Sequence, residues 1–206
     1  MTTTTVTTPD QTTLFVRDLG SGTAAVLLHG WTVGHELWDR QFETLPAAGV
    51  RCVAYDRRGC GRSSAPDQGY DYDTLADDLH AVLAQLGLGD VTLVAHSMAV
   101  GEALRYLARH SADRISSLVL VAPTTPDLLP PPLLDAMVSA MQSDLPGYLA
   151  AGAPGFFGRD ASPELLDWGV GLAARAPLPV AVELTRTFAT TDLRSELAVV
   201  TVPTVV

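Results

Sequence analysis

One serine in this chain has the sequence surroundings of a catalytic nucleophile. Ser97 follows an apolar, β-branched run at Val91–Ala95 and a histidine, and it precedes a methionine and a segment with helical spacing. A strand that turns directly into a helix holds such a serine on a strained turn at the strand's carboxyl end. The flanking Ala95 and Ala99 are small, as the close return of the backbone requires. The pattern predicts a nucleophile elbow, and the alternative is a serine in an ordinary strand-to-helix loop.

Four apolar runs predict the buried strands that would position this serine. They begin at Ala24, Val50, Val91 and Ile115. Segments with helical spacing separate them, and this alternation predicts a parallel sheet with right-handed crossovers. Trp31, Asp56 and Ser97 each follow one of these strands. Sites in such sheets form at the carboxyl ends of the strands, so we expect the three residues to lie at one edge.

The chain resembles the α/β-hydrolase superfamily. The resemblance extends from Thr13 to the last residue and is carried by His29-Gly30-Trp31, Tyr55–Ser63, His96-Ser97-Met98 and Glu102–Arg109. It is strongest to the bacterial branch of cofactor-free chloroperoxidases (perhydrolases), aryl esterases and lactonases. The resemblance implies an α/β fold with a doubly wound, mostly parallel sheet and an inserted helical cap.

The same resemblance implies an activity. It predicts a serine hydrolase that acts on small carboxylic esters or lactones through an acyl-enzyme, with perhydrolysis as a side activity and without a cofactor or metal. Ser97 would be the nucleophile, and the backbone N–H groups of Trp31 and Met98 would form the oxyanion hole. Such preorganised donors each stabilise the transition state by roughly 3–4 kcal/mol.

A serine hydroxyl also needs a base to take its proton. The resemblance makes His29 structural, and His96 is expected to point to the opposite side of the strand from Ser97. His80 and His110 are predicted on helices at the surface. His35, in the loop after Trp31, is then the one histidine expected near the mouth of the site.

The candidate carboxylates are few as well. Asp127 follows the strand at residues 115–121, where some members of the superfamily place the acid of the triad, and it is the candidate acid. Asp56 is interpreted instead as a residue that holds its own turn together.

Residues 126–198 contain many prolines and continuous apolar content, which together predict a cap of short helices rather than a disordered linker. Its larger apolar residues are expected to line an acyl pocket or, alternatively, to form the cap's own core: Phe156, Phe157, Leu165, Leu166 and Trp168. The predicted organisation is a flexible tail at residues 1–12, the hydrolase core at 13–125, the cap at 126–198 and the start of a further core strand at 199–206.

The resemblance places the catalytic Asp and His beyond that last strand. We therefore expect a C-terminally truncated hydrolase that lacks the last strands and helix. The alternatives are a catalytically inactive truncated fragment and a non-catalytic ligand-binding module.

The resemblance implies a small-molecule ester or acyl substrate, and composition argues against other classes of partner. The net charge is −10 and basic residues form no run, which argues against nucleic-acid binding. No stretch approaches the ~20 apolar residues of a membrane helix, and the amino end does not resemble a secretion signal. These features predict a cytoplasmic protein without a membrane partner. Cys52 and Cys60 are expected to be reduced thiols rather than a disulfide or metal ligands.

Overall fold

A single sheet of seven strands forms the centre of the computed structural model, which describes residues 2–124, 126–158 and 160–206. The strands are β1 (Thr2–Thr7), β2 (Thr13–Leu19), β3 (Thr23–Leu28), β4 (Val50–Tyr55), β5 (Val91–His96), β6 (Ile115–Val121) and β7 (Thr204–Val205). Their order in the sheet is β1-β2-β4-β3-β5-β6-β7. The pairs from β4 to β7 are parallel, whereas β1–β2 and β2–β4 are antiparallel. The predicted α/β class with a mostly parallel sheet is confirmed.

Among the described residues, seven α-helices connect and cover these strands. They are α1 (Asp39–Thr44), α2 (Tyr72–Gln85), α3 (Ala99–His110), α4 (Pro131–Ser143), α5 (Leu145–Phe157), α6 (Pro163–Ala173) and α7 (Leu178–Thr190). Helix α2 begins where the Asp71 carboxylate accepts a hydrogen bond from the Thr74 amide, and it buries Leu75, Leu79, Val82 and Leu83 in the core as its spacing predicts. Short 3₁₀ helices lie at His35–Trp38, Leu45–Ala48 and Arg194–Val199.

The predicted flexible tail at residues 1–12 is wrong for residues 2–7, which form β1, and residue 1 lies outside the described residues. Six register pairs join β1 to β2, from Thr2 opposite Asp18 to Thr7 opposite Thr13. Threonine is β-branched and suits a pleated strand, so a threonine-rich segment has an available partner in the edge of the sheet. Val6 anchors the strand because its side chain is only 1% exposed in the core.

Helices α4 to α7 form the cap between β6 and β7, as predicted. Leu134, Val138 and Met141 of α4 pack against Ala181 and Val182 of α7 in a cluster separate from the main core. The predicted boundary between core and cap ends on residue 125, which lies outside the described residues. The predicted start of the last strand at residue 199 falls in a 3₁₀ helix, and β7 begins at Thr204.

No single helix in the described ranges is long and apolar enough to cross a membrane. Only α6 and α7 taken together reach that length and composition, and they are bent by 96° at the break between them.

The burial of Val6 provides a test of β1. In Val6→Ala the core loses two buried methyl carbons, which should lower the free energy of unfolding by about 1.6 kcal/mol or more. Thr5→Ala, an exposed change in the same strand, should stay within about 0.5 kcal/mol of the wild type. Urea unfolding of both variants measures the difference, and equal stabilities would show that residues 2–7 do not pack on the sheet.

Candidate active site

Ser97 occupies the turn between β5 and α3, and its backbone has a φ of +57°. This left-handed conformation is unfavourable for a residue with a side chain and persists only where its surroundings enforce it. The Ser97 amide donates to the Val121 carbonyl on β6 at 3.0 Å, and the Ser97 carbonyl accepts from the Val100 amide in the first turn of α3. The strand–turn–helix geometry expected from the sequence is therefore present, with Ser97 half-buried.

The loop after β3 passes directly beside this turn at Gly30. A Cβ atom at Gly30 would lie 2.7 Å from Nδ1 of His96 and 3.4 Å from Cβ of Ser97. The first distance is shorter than a real Cβ contact allows. Glycine at this position lets the loop that carries Trp31 approach the serine.

The backbone N–H groups of Trp31 and Met98 have no hydrogen-bond acceptor among residues 2–124, 126–158 and 160–206. Other atoms of both residues are fixed by hydrogen bonds. The Trp31 indole donates to the Ala181 carbonyl of α7 at 3.1 Å. Met98 is fully buried, and its carbonyl accepts from the Tyr72 hydroxyl at 2.9 Å. Two free amides on rigid loops beside a serine suit the binding of an oxyanion.

A cavity of about 340 Å³ opens over Ser97 between the core and the cap. The core contributes Gly30, Trp31, Val33, Leu37, His96 and Ser97, and the cap contributes Leu149, Ala153, Phe156, Phe157, Gly169, Val170 and Ala173. Phe156 and Phe157, predicted to line an acyl pocket, line this cavity. Leu165, Leu166 and Trp168, predicted with them, lie outside the lining, and two of the three are exposed on α6.

A buried ion pair ties the Gly30 loop to α3. Arg57 and Glu102 are 2% and 1% exposed, and the Arg57 guanidinium donates to Glu102 Oε2 at 2.8 and 3.0 Å. The same guanidinium donates to the carbonyls of His29 at 2.8 Å and Gly30 at 3.2 Å. Burial alone would lower the pKa of Arg57, but the Glu102 carboxylate holds it above its ordinary value. The Tyr55 hydroxyl also donates to Glu102.

His29 is a structural residue in this network, as the resemblance implied. Its Nε2 accepts from the Arg57 amide at 2.9 Å and its Nδ1 lies 2.8 Å from the Gly30 carbonyl, so the ring is neutral with the proton on Nδ1. Complete burial, followed by the charge of Arg57, lowers the pKa of His29 to about 3. Such a group is a poor proton acceptor at neutral pH.

His96 follows the alternation of β5, on the face expected from the sequence. Its ring lies 6.4 Å from that of Trp38, in the cluster against which Val94 of the same strand packs. The ring also lies beside Gly30, and His96 lines the cavity that holds Ser97. Burial lowers the pKa of His96, and its Nδ1 is enclosed without a hydrogen-bond partner in the described part of the chain. Alternation along β5 does not reveal that His96 borders the cavity, because the Gly30 loop beside it comes from another strand.

The two residues predicted as acid or base lie outside the cavity lining. His35 is 7% exposed, and its Nδ1 lies 2.9 Å from Oδ1 of Asp56. Asp127 is exposed in the segment after β6. The Ser97 hydroxyl has no hydrogen-bond partner among the described residues. Asp56 holds its turn as predicted, through the amides of His35 and Arg62.

Comparison with known proteins places the fold in a family. The profile of the alpha/beta hydrolase fold family matches residues 24–177. The chain belongs to the α/β-hydrolase family. The AB hydrolase superfamily protein YisY of Bacillus subtilis (strain 168) is 36% identical over 208 residues, covering 97% of this chain and 78% of that protein. A non-heme haloperoxidase of Rhodococcus erythropolis is 34% identical and covers 98% of this chain and 79% of its own.

A solved structure gives the same result. The esterase from Exiguobacterium antarcticum superposes with a TM-score of 0.95 at 32% identity, covering 98% of this hydrolase and 79% of the esterase. The resemblance to the superfamily, and to its haloperoxidase and esterase branch, is thereby confirmed.

The buried ion pair of this α/β-hydrolase predicts a large loss of stability in Glu102→Ala. The change leaves the Arg57 guanidinium buried without its counter-ion, which should lower the free energy of unfolding by about 3–5 kcal/mol. Urea unfolding is the measurement. Glu183→Ala, which removes an exposed ion pair with Arg186 on α7, is the matched control and should unfold close to the wild type. Similar midpoints for the two variants would contradict the inferred role of the pair.

His29 predicts a pH dependence of stability. Its pKa is lowered from 6.5 to about 3 in the folded chain, so between these values the unfolded chain binds a proton that the folded chain does not. The contribution of His29 to the free energy of unfolding is fully present above pH 6.5. As the pH falls below 6.5, that contribution decreases by up to ~1.4 kcal/mol per pH unit. The stability difference between wild type and His29→Gln should therefore shrink by that slope from about pH 6 to about pH 4.5. Urea unfolding at several pH values measures it, and a constant difference would contradict the assignment.

Proposed function

We propose that Ser97 is the nucleophile of a serine hydrolase that cleaves small carboxylic esters or lactones through an acyl-enzyme. The observation that carries the proposal is the left-handed Ser97, held between β5 and α3 at the floor of an apolar cavity. Strained conformations maintained by the surrounding structure cluster at active sites and ligand-binding sites. The hydrolase and esterase relatives of the chain support the same class of reaction.

The acyl transfer would use the free amides of the site. As the serine oxygen adds to the ester carbonyl, negative charge develops on the carbonyl oxygen. The N–H groups of Trp31 and Met98 would stabilise that charge, because both are unpaired and both belong to residues with little freedom to move. The serine proton passes to the departing alcohol and the acyl group stays on Ser97; water then adds to the acyl carbonyl, the bond to Ser97 Oγ breaks, and the acid leaves while the serine regains a proton.

The cavity favours a small or medium acyl group without charge. Its volume of about 340 Å³ lies at the lower end of the range of ordinary ligand sites. The cap walls are apolar at Leu149, Phe156 and Phe157, so an alkyl or aryl acyl group would bury its surface there.

Perhydrolysis would follow from the same intermediate. Hydrogen peroxide in place of water attacks the acyl carbonyl, the bond to Ser97 Oγ breaks, and a peracid leaves while the serine regains its proton. This side activity needs no redox change at the protein. The haloperoxidase relative is consistent with it.

A second candidate is a ligand-binding or inactive member of the family. It is favoured by one observation, the absence of a hydrogen-bonded base for the Ser97 hydroxyl among the described residues. In that case the cavity would bind an ester or acid without turnover.

Hydrolysis of p-nitrophenyl acetate by the chain and by Ser97→Ala distinguishes the two candidates. For a serine hydrolase we expect steady turnover that falls by at least about 10³-fold in the variant. Thr92→Ala, a change in the same strand β5 away from the cavity, should keep the wild-type rate.

The remaining triad candidates follow from the first result. If turnover depends on Ser97, the variants His35→Gln and Asp127→Asn show whether either residue completes the triad, through a loss comparable with that of Ser97→Ala. Equal background rates in wild type and Ser97→Ala would refute catalysis by this chain. Binding of acetate or an acyl analogue, followed by the intrinsic tryptophan fluorescence to which Trp31 of the cavity contributes, would then support the ligand-binding candidate.

A further inference from the structure

Three metal-ligating side chains outside the serine site converge next to the cavity wall. Nδ1 of His35 lies 2.9 Å from Oδ1 of Asp56 and 3.4 Å from Oε2 of Glu36. All three atoms lie within 4.8 Å of one another. The Asp56 side chain is 0% exposed, that of His35 is 9% and that of Glu36 is 21%, so the cluster is largely removed from water.

The hydrogen-bond donors of the protein do not satisfy every acceptor atom of this cluster. A hydrogen on Nδ1 of His35 can be directed to Asp56, which already accepts from the His35 amide at 2.6 Å. Oε2 of Glu36 is then a buried carboxylate oxygen without a hydrogen-bond donor in the described part of the chain. A buried acceptor with no partner is costly, particularly when it carries charge. If Nδ1 of His35 carries no hydrogen, the lone pairs of that nitrogen and of the two carboxylate oxygens face one another with no donor between them.

The atoms around the cluster are arranged as a rigid cradle. Asp56 is fixed by the backbone amides of His35 and Arg62, at 2.6 and 2.8 Å. The His35 ring packs on Phe15 with a centroid distance of 4.8 Å. Gly34 keeps the centre open, because a Cβ there would lie 2.6 Å from Glu36 Oε2 and 2.9 Å from Asp56 Oδ1.

We propose that Nδ1 of His35, Oε2 of Glu36 and Oδ1 of Asp56 bind one divalent transition-metal cation of the Zn²⁺ type. One imidazole nitrogen and two carboxylate oxygens suit such ions, and water would complete the coordination. Two ligands each about 2.1 Å from one ion are roughly 3.0–3.4 Å apart in octahedral or tetrahedral geometry. The separations of 2.9 and 3.4 Å around His35 Nδ1 agree with that requirement.

The bound cation would stiffen the wall of the serine cavity and its contact with the cap. Val33 and Leu37, on either side of the two ligands His35 and Glu36, line that cavity. Oε1 of Glu36, the oxygen not used for the cation, pairs with Arg175 at 2.6 Å, just after α6 of the cap. One carboxylate would thus join the cation to the cap. The role is structural and does not depend on the proposed serine chemistry.

Titration of the full chain with Co²⁺, followed by its visible d–d absorption, tests the site. After treatment with a chelator and buffer exchange, we expect one equivalent to bind at neutral pH and Zn²⁺ to displace it. Glu36→Gln keeps the size of the side chain and the contact to Arg175 but loses the charged ligand oxygen. Changes to residues that only support a ligand already weaken metal binding 10–100-fold, so we expect the loss to be at least about 100-fold.

Two further variants separate this site from other surface binding. His110→Gln removes the half-buried histidine that pairs with Asp77, remote from the proposed ligands, and it should leave Co²⁺ binding unchanged. His35→Gln should abolish the absorption while circular dichroism remains that of the wild type. Excess Zn²⁺ should raise the melting temperature of the wild type and of His110→Gln but not that of Glu36→Gln.

The proposal is overturned if the wild type binds no Co²⁺. It is equally overturned if binding persists in Glu36→Gln and His35→Gln, or if only His110→Gln loses it. Because none of these readouts uses ester hydrolysis, failure of the cation site and failure of the proposed hydrolase activity are independent results.

Discussion

The buried ion pair between Arg57 and Glu102 is the constraint on which the arrangement around Ser97 depends. Its two charges come from elements far apart in sequence, the loop after β4 and the helix after the serine, and neither is exposed to water. Such a pair is costly unless every donor and acceptor is used. Here the remaining guanidinium hydrogens bind the carbonyls of His29 and Gly30, so satisfying the charge also fixes the loop beside the serine.

This constraint explains how a strained serine is kept in place. Ser97 adopts a left-handed conformation that its side chain disfavours, and Gly30 packs beside the adjoining His96 ring more closely than a residue with a side chain could. Strain of this kind persists only when neighbouring elements leave the chain no alternative. The hydrogen bond from Ser97 to β6 and the carbonyl contacts of Arg57 supply that restraint from opposite sides.

The cap also holds the loop after β3, through contacts with the side chain of Trp31. Trp31 donates its indole hydrogen to Ala181 and packs edge-on against Tyr148, so the residue that offers a free amide to the site is also bound to α5 and α7. The Glu36–Arg175 pair makes a second connection between the cap and the segment after that loop. The cavity is therefore defined by the position of the cap as much as by the sheet.

Much of this could be inferred from local sequence. Apolar runs and the breaks between them encode parallel strands that end in loops. From this pattern the α/β class, the alternation of strands and helices along the chain and the turn at Ser97 could be predicted. The threonine-rich segment at residues 2–7 was predicted wrongly, because a polar strand at the edge of a sheet and a frayed tail can have the same composition. Only the pairing of β1 with β2 separates them.

Long-range packing decided the rest. Alternation along β5 places His96 on the face of Val94 and Trp38, but only the approach of the Gly30 loop puts its ring beside the serine cavity. The convergence of His35, Glu36 and Asp56 was equally invisible, since it joins two loops through a buried carboxylate. The sequence by itself determined the fold class and the strand–turn–helix around the serine, because these arise from local periodicity. Which side chains share a cavity, an ion pair or a cradle was decided by the tertiary structure, because such contacts depend on distances between segments remote in the chain.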